Sequence, residues 1–312
     1  MVRLGSTGLD VFPLCLGGNV FGWTADEKAS FAVLDAYLDA GGNFIDTADS
    51  YSAFVPGHAG GESENVLGKW LAARRNRDRV ILATKVGKKP GLEGLAPDTI
   101  RAAIEGSLER LQSDYIDLYY AHVDDVDTPL EESLAVFDEL VREGKVRHIG
   151  ASNYGGVRLA EALALSDREG LARYAVAQPH YSLVERDEYE GELAELCTRE
   201  DLACVPYWGL ARGFLTGKYR PGGEPVDSPR ATAAAAYLGD ERNVRLLGVL
   251  DALASAHETT VAAIALAWLA AQPGVVAPLA SARNPEQLAD LLPMAELELS
   301  DVEVARLSGA GA

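Results

Sequence analysis

The sequence predicts an α/β protein that folds as a single (β/α)8 TIM barrel over residues 1–312, with long loops at the C-terminal mouth. Short apolar runs alternate with longer amphipathic segments, a pattern typical of βαβ units and a parallel sheet. The composition does not change along the chain, and α/β barrels of this length commonly form one domain. The competing fold, a doubly wound sheet, lacks its G-x-G-x-x-G fingerprint, because residues 17–22 read GGNVFG.

Eight apolar runs are predicted to be strands. They cover residues 14–18, 43–48, 80–86, 115–122, 147–152, 174–178, 203–207 and 275–279. The segments between them predict helices over 26–40, 63–74, 97–111, 129–143, 158–166, 192–200 and 240–270, the last as two helices. Pro97 and Pro129 suit first turns, where a missing N–H costs nothing, and Asn284 reads as the N-cap of a further helix.

The tract 211–240, after the seventh predicted strand, shows no regular pattern. It holds five of the 31 glycines and three of the 14 prolines. We interpret it as a long loop, and long ordered loops in compact domains are usually functional.

Composition excludes several classes of protein. The chain has 28 basic and 47 acidic residues, a formal charge of −19, so we expect no nucleic-acid partner, since phosphate contacts need clustered Lys and Arg. Its three cysteines cannot form a disulfide framework and lie in apolar runs, which indicates buried, inert thiols. No secretory signal is recognisable at the N-terminus, and we expect a cytoplasmic protein.

One segment has the length of a membrane span. Residues 259–282, 24 in all, carry no acidic or basic side chain. The Gln-Pro-Gly sequence at 272–274 divides them, however, into an Ala- and Leu-rich helix and a short strand. We therefore predict no membrane partner.

Polar side chains recur where the predicted strands end. In a (β/α)8 barrel the chemistry lies at the C-terminal ends of the strands and in the loops that follow. Taken in order, these positions hold Asp46 and Tyr51, Lys85, His122, Ser152 and Asn153, Gln178, Tyr207, then Ser281 and Arg283. Singly, each has a structural explanation, such as a turn cap for Asp46 or a solvent-facing amine for Lys85. Their recurrence at one end of the fold favours a functional site.

Several motifs resemble the aldo-keto reductase family, in the family's order. They are GNFIDTADSY at 42–51, GESE at 61–64 followed by LG at 67–68, ATK at 83–85, YYAH at 119–122, GASNY at 150–154 and LTGKY at 215–219. The resemblance extends over roughly residues 1–310 and implies a barrel that reduces an aldehyde, ketone or sugar carbonyl with NADP(H). It also implies a tetrad of Asp46, Tyr51, Lys85 and His122.

The tetrad residues suit that chemistry. Hydride addition to a carbonyl leaves an alkoxide that needs a proton, which Tyr51 would donate as general acid. A free tyrosine has a pKa of about 10, and an ammonium within reach typically lowers it by about 1–3 units. We therefore expect Lys85 to lower the pKa of Tyr51, Asp46 to keep Lys85 protonated, and His122 to orient the carbonyl oxygen.

The same resemblance implies the cofactor contacts. Ser152, Asn153 and Gln178 would hold the nicotinamide carboxamide, and Tyr207 would stack on the ring. The remaining cofactor positions are Gly18, Asn19, Leu210 and Gly217, with Ser281, Arg283 and Gln287 at the adenosine end. Arg283 suits a 2′-phosphate, because its planar fork binds phosphate oxygens in pairs. Trp23, Phe54 and Trp208 are candidate walls of the substrate pocket, and no metal site is predicted.

Two acid-free windows agree with an anionic cofactor in this acidic chain. Residues 202–223 contain Arg212, Lys218 and Arg220, and residues 79–92 contain Arg79, Lys85, Lys88 and Lys89. Both windows flank predicted strand ends, where a pyrophosphate would need positive charge.

Two other functions stay open. Lys85 could form a Schiff base in a barrel lyase, since desolvated lysines react with carbonyls. Alternatively, the chain could be an NADPH-binding regulatory or sensor subunit, because some members of the family that it resembles couple NADPH binding to a channel partner. The sequence leaves the oligomeric state undetermined.

Overall fold

Eight parallel strands close into a barrel in the computed structural model, which describes residues 1–311. In chain order they are β1 (Cys15–Gly17), β2 (Phe44–Asp46), β3 (Ile81–Val86), β4 (Ile116–Ala121), β5 (Val146–Ser152), β6 (Tyr174–Gln178), β7 (Ala203–Cys204) and β8 (Leu279–Ala280). Strand order in the sheet follows chain order, with β8 beside β1. Cys204 forms a parallel bridge to Val275, which joins β7 to the segment before β8 and completes the circle. The predicted (β/α)8 barrel is confirmed.

Helices cover the outside of the barrel. Within residues 1–311 they are α1 (Glu27–Asp39), α2 (Glu62–Arg74), α3 (Pro97–Leu111), α4 (Leu130–Arg142), α5 (Gly156–Glu169), α6 (Glu192–Arg199), α7 (Ala231–Ala235), α8 (Glu241–Ala256), α9 (Val261–Ala270), α10 (Pro285–Leu291) and α11 (Asp301–Gly311). As predicted, the segment 240–270 is two helices, and Asn284 caps α10 by accepting a hydrogen bond from the backbone N–H of Gln287.

Two antiparallel hairpins supplement the barrel strands. The first pairs Val2–Arg3 with Asp10–Val11, and its Leu4 and Val11 belong to the same buried cluster as inward-facing strand residues such as Phe44 and Val176. This hairpin therefore covers the interior of the barrel. The second pairs Lys88–Lys89 with Leu92–Glu93 directly after β3.

Prolines shorten two of the predicted strands. β7 ends at Cys204 rather than at 207, because Pro206 has no N–H for the ladder. In the same way Pro278 interrupts the predicted eighth strand, and β8 is confined to Leu279–Ala280. Pro129 stands at the N-cap and α4 begins only at Leu130.

The tract 211–240 is more regular than its sequence indicates. It contains a 3-10 helix at Ala211–Thr216, α7, and a second 3-10 helix at Ala236–Gly239. The Ala-rich run 231–236 accounts for the latter two, since alanine has the highest helix propensity. Residues 217–230 between them carry no helix or strand.

The apolar tract near the C-terminus folds as predicted into a helix and a strand. Residues Ala262 to Leu269 of α9 are buried on every side. Within residues 1–311, no single helix has both the length and the apolarity to cross a bilayer, and α8 and α9 meet at 98°. All three cysteines are free and buried, in agreement with the sequence.

A close crossing between α2 and α3 depends on Gly68. A Cβ at this position of α2 would lie 2.0 Å from the backbone carbonyl oxygen of Arg110, in α3. We expect Gly68→Ala to lower the free energy of unfolding by about 1–3 kcal/mol, since α2 and α3 must separate. Alanine's better helix propensity, worth about 1 kcal/mol, acts in the opposite direction and is outweighed. Urea unfolding followed by circular dichroism measures the difference.

Gly248 provides the matched control, because it is exposed in α8 and nothing lies within 4 Å of a Cβ placed there. Gly248→Ala should raise the free energy of unfolding by about 0.5–1 kcal/mol. Equal stabilisation by the two substitutions would contradict the close crossing.

Candidate active site

The ends of β2 and β3 place a lysine and an aspartate together inside the barrel mouth. Asp46 is the last residue of β2, and Lys85 lies near the end of β3, two residues beyond the partner of Asp46 in the sheet. Residues two apart on a strand face the same side, so both side chains point inward. Both are fully buried, and the Lys85 ammonium donates hydrogen bonds to both carboxylate oxygens of Asp46.

Lys85 also holds Tyr51. Its ammonium donates to the Thr47 carbonyl at 2.7 Å and to the Tyr51 hydroxyl at 2.8 Å. Since an ammonium has no lone pair, Tyr51 Oη is the acceptor in this contact. Among the described residues the Tyr51 hydroxyl donates to none, so its own proton is free to donate into the cavity at the mouth.

Burial dominates the protonation of these three groups. It raises the pKa of the Asp46 carboxyl and lowers that of the Lys85 ammonium, and in each case the attraction within the pair opposes the shift. Burial also raises the pKa of Tyr51 well above its usual value, and the negative charge of Asp46 raises it further. The expected net lowering of the Tyr51 pKa is therefore not found: burial dominates, the net shift is upward, and the phenol is protonated at neutral pH.

His122 completes the predicted tetrad at the end of β4. Its ring lies 6.1 Å from that of Tyr51, centroid to centroid, at 73°. Its Nδ1 lies 3.5 Å from the Ser50 hydroxyl oxygen. Burial, together with repulsion from Lys85 and Lys88, lowers the pKa of His122 well below 6.5, so the imidazole is neutral at pH 7 and has one N–H to donate.

A chain of hydrogen bonds connects the predicted nicotinamide residues to this tetrad. Asn153 donates to the backbone carbonyl of His122 at 2.8 Å and accepts from the Tyr207 hydroxyl at 2.8 Å. Ser152 donates to the backbone carbonyl of Gln178 at 3.0 Å. The Gln178 side-chain amide in turn donates to Asp46 at 3.2 Å. Side chains from β2, β5, β6 and the segment after β7 therefore form one polar network.

Two connected cavities open above this network. The first, about 450 Å³, lies between the loop after β1, the tract after β7 and the start of α10. The second, about 430 Å³, lies directly over Tyr51. Predicted cofactor residues in the first cavity are Asn19, Leu210, Ser281, Arg283 and Gln287. Predicted residues in the second are Tyr51, His122, Ser152, Asn153, Gln178 and Tyr207, with Trp23, Phe54 and Trp208 as walls.

Two predicted cofactor residues line neither cavity. Gly18 follows β1, where a Cβ would approach the Ser63 hydroxyl oxygen to 2.9 Å. Gly217 ends the 3-10 helix Ala211–Thr216 with a φ of 82°, a left-handed conformation that favours glycine. Both glycines shape the backbone near the cavities rather than their surfaces.

Four cations line the first cavity: Arg212, Lys218, Arg230 and Arg283. The Arg212 guanidinium lies 4.1 Å over the Trp208 ring, and its Nε is buried with no hydrogen-bond partner among the described residues. Arg220, the third base of the acid-free window 202–223, lines neither cavity. Its guanidinium donates a hydrogen bond of 2.6 Å to the Asp251 carboxylate. Sequence reasoning missed Arg230, because it lies outside that window and only the folded loop returns it to the mouth.

Within residues 1–311, three of the nine non-glycine residues with a positive φ line the two cavities. Asn153, Trp208 and Arg212, which line them, have φ values of 61°, 55° and 59° without being glycine. Each such conformation costs on the order of 1 kcal/mol or more, and strained residues of this kind cluster at functional sites.

Comparison with known proteins agrees with this geometry. A family model described as the aldo/keto reductase family matches residues 13–312. An uncharacterized oxidoreductase of Bacillus subtilis, YrpG, is 37% identical over 97% of this chain and 93% of its own length. A norsolorinic acid reductase of Emericella nidulans is 35% identical over 95% of this chain and 77% of its own. A probable voltage-gated potassium channel subunit beta of Oryza sativa is 32% identical over 96% of this chain and 94% of its own length. This chain belongs to the aldo/keto reductase family.

Proposed function

We propose that the protein is an NADPH-dependent carbonyl reductase that converts an aldehyde, ketone or sugar carbonyl to an alcohol, with Tyr51 as general acid. The observation that carries this proposal is the 2.8 Å hydrogen bond from the buried Lys85 ammonium to the Tyr51 hydroxyl. It leaves the phenolic proton directed at a cavity that continues into a cation-lined cleft.

Tyr51 is suited to donate that proton. Its raised pKa keeps the phenol protonated at neutral pH. As hydride addition converts the carbonyl oxygen to an alkoxide, which is more basic than a phenolate, the proton moves from Tyr51 Oη to that oxygen. The Lys85 ammonium then stabilises the phenolate from 2.8 Å without moving.

Asp46 and His122 support the transfer in different ways. Asp46 opposes the effect of burial on the pKa of Lys85, so Lys85 keeps its positive charge. Gln178 holds the Asp46 carboxylate in place by a hydrogen bond. The neutral His122 has its Nδ1 near Ser50, which leaves Nε2 to donate to the substrate oxygen. This hydrogen bond would orient the carbonyl and strengthen as the oxygen becomes negative.

The first cavity suits a dinucleotide. Such a cofactor supplies the hydride when bound. Its pyrophosphate would lie beside Arg212 and Lys218, where the buried Nε of Arg212 still needs an acceptor. Arg283 would bind the 2′-phosphate, which favours NADPH over NADH. Asn19, Leu210, Ser281 and Gln287 would contact the rest of the dinucleotide, with Gly18 and Gly217 shaping the backbone around it.

The geometry disfavours a Schiff-base lyase. A lysine that attacks a carbonyl must present a neutral amine to the substrate. Lys85 instead directs its hydrogens at Asp46, Thr47 and Tyr51 and lines neither cavity.

A regulatory subunit is the second candidate function, because one relative is named as a probable potassium channel subunit beta. Tight NADPH binding combined with very slow turnover across many carbonyls would favour it.

Replacing the phenol tests the proton donor. We expect Tyr51→Phe to lower kcat/KM for a test aldehyde by about 10²–10⁴-fold, since the proton donor is removed, while the Kd for NADPH changes less than about twofold. NADPH oxidation followed by absorbance and NADPH titration by fluorescence measure the two quantities.

Tyr115→Phe is the matched control, because Tyr115 lies just before β4, at the far end of the barrel, and its hydroxyl makes no hydrogen bond among the described residues. It should retain the activity of the unmodified protein. Full activity in Tyr51→Phe would reject Tyr51 as general acid.

Replacing Arg283 tests cofactor preference. Arg283→Gln should raise the Kd for NADPH by about 10–100-fold, since charge-assisted hydrogen bonds to the 2′-phosphate are lost, and the Kd for NADH by less than about threefold. Calorimetry with each cofactor measures both constants, and Arg306→Gln, at an exposed position of α11, is the control. An equal loss for NADPH and NADH would contradict the assignment.

A further inference from the structure

The second cavity has an unusual charge balance for an acidic protein. Three cations line it, Lys88, Arg212 and Arg230, and none of its described lining residues is a carboxylate. The chain carries a formal charge of −19, and many of its other bases form ion pairs with carboxylates. Within residues 1–311, none of these three cations has a carboxylate within 4.0 Å. Their positive charge therefore faces the cavity without an internal counterion.

The proposed cofactor accounts for part of this charge. Arg212 and Arg230 also line the first cavity, alongside Lys218 and Arg283. A pyrophosphate and a 2′-phosphate would neutralise most of that set. Lys88, however, lines only the second cavity, and its charge acts on His122 there.

The fold holds Lys88 at the rim of the second cavity. It lies three residues beyond Lys85, and its strand pairs with Leu92–Glu93 in the short hairpin after β3. Burial and then repulsion from Lys85 lower the pKa of Lys88, and Glu188 raises it only as the third cause. The Glu188 side chain is 61% exposed and forms no ion pair with Lys88. Asp46 already neutralises Lys85, whereas the exposed Lys88 has no carboxylate within 4.0 Å among the described residues, so an anion in the cavity would supply its counterion.

Arg230 supplies the second positive charge at this cavity. Its guanidinium lies 5.3 Å from the centre of the Trp23 ring, which meets Phe54 edge to face with 4.9 Å between ring centres. Burial lowers the pKa of Arg230, and repulsion from Arg212 and Arg283 lowers it further. A guanidinium binds carboxylate or phosphate oxygens in pairs, and the contact with the Trp23 ring stabilises this one at the cavity.

We propose that the carbonyl substrate carries an anionic group, a carboxylate or a phosphate, which Lys88 binds with the support of Arg230 while the carbonyl lies at Tyr51 and His122. The inference rests on the proposed reductase function and assigns its substrate class. Trp23, Phe54 and Trp208 would contact the uncharged part of the substrate between the two ends.

Matched aldehydes test the charge. The carboxylate pair is 4-carboxybenzaldehyde and its neutral methyl ester, and the phosphate pair is glyceraldehyde 3-phosphate and glyceraldehyde. We expect kcat/KM for the anionic member of at least one pair to exceed that of the neutral member by about tenfold or more, mainly through KM. The pair with the larger ratio identifies the anion. Ratios near one for both pairs would overturn the inference.

In the pair with the larger ratio, Lys88→Met should reduce the ratio of kcat/KM for the anionic over the neutral aldehyde by about tenfold. Its effect on kcat/KM for the neutral aldehyde alone should be much smaller. Lys89→Met is the control, because Lys89 donates to the Gly60 carbonyl at 3.3 Å and lines neither cavity. It should leave the ratio unchanged. Equal ratios in the Lys88→Met variant and the unmodified protein would overturn the role of Lys88.

A binding measurement separates this inference from the proposed function. The alcohol product 4-(hydroxymethyl)benzoate, or glycerol 3-phosphate for the phosphate pair, is titrated by calorimetry into protein saturated with NADP⁺. We expect saturable binding that Lys88→Met weakens by about tenfold. If NADP⁺ binds and neutral aldehydes are reduced without any anion preference, the reductase stands and the inference fails. If NADP⁺ does not bind and no aldehyde is reduced, both fail.

Discussion

The arrangement of this site depends on one buried ion pair, Lys85 with Asp46. Removing two charges from water is costly, and a buried pair persists only when hydrogen bonds satisfy the remaining donors and acceptors. Here the Thr47 carbonyl, the Tyr51 hydroxyl and the Gln178 amide do so. These hydrogen bonds stabilise the buried ion pair, and one of them also positions the Tyr51 phenol. Stability and the proposed chemistry therefore share one set of hydrogen bonds.

The surrounding barrel separates rigid from adaptable parts. Asp46, Lys85 and Gln178 lie on strands that are buried on both sides, which holds them in place. The cations that line the cavities come largely from connections, with Arg212 and Arg230 in the tract after β7. A barrel with this division keeps the reacting groups constant and varies ligand recognition through its loops. The overall negative charge is reversed at the two cavities, whose described lining holds five bases and one carboxylate, Asp290.

Much of this could be predicted from strand ends. Asp46, Lys85 and His122 each follow an apolar run, and the barrel topology alone brings such ends to one mouth. Strand lengths were less predictable, because Pro206 and Pro278 remove ladder donors inside otherwise apolar runs. The net shift of the Tyr51 pKa is opposite to the predicted one, since the burial that raises it arises only when several loops assemble around the ring.

Long-range contacts limited the rest of the prediction. Arg220 shares an acid-free window with Arg212, yet α8 supplies Asp251 to neutralise it. Arg230 lies beyond that window and still reaches both cavities, because the tract folds back across the mouth. Neither outcome is visible in local composition. Gly18 and Gly217 were assigned to cofactor contact, and in the structure they shape the backbone next to the cavities.

The central claim is that Lys85 acts through Tyr51, and a double-mutant cycle tests it most directly. The single-turnover rate of aldehyde reduction is measured for Tyr51→Phe, Lys85→Met and the double variant, each saturated with NADPH. If the two residues form one unit, the double variant is about as slow as Tyr51→Phe alone, within about threefold. If instead the double variant is slower than Tyr51→Phe by the full factor that Lys85→Met causes on its own, the two losses are independent and the account is contradicted.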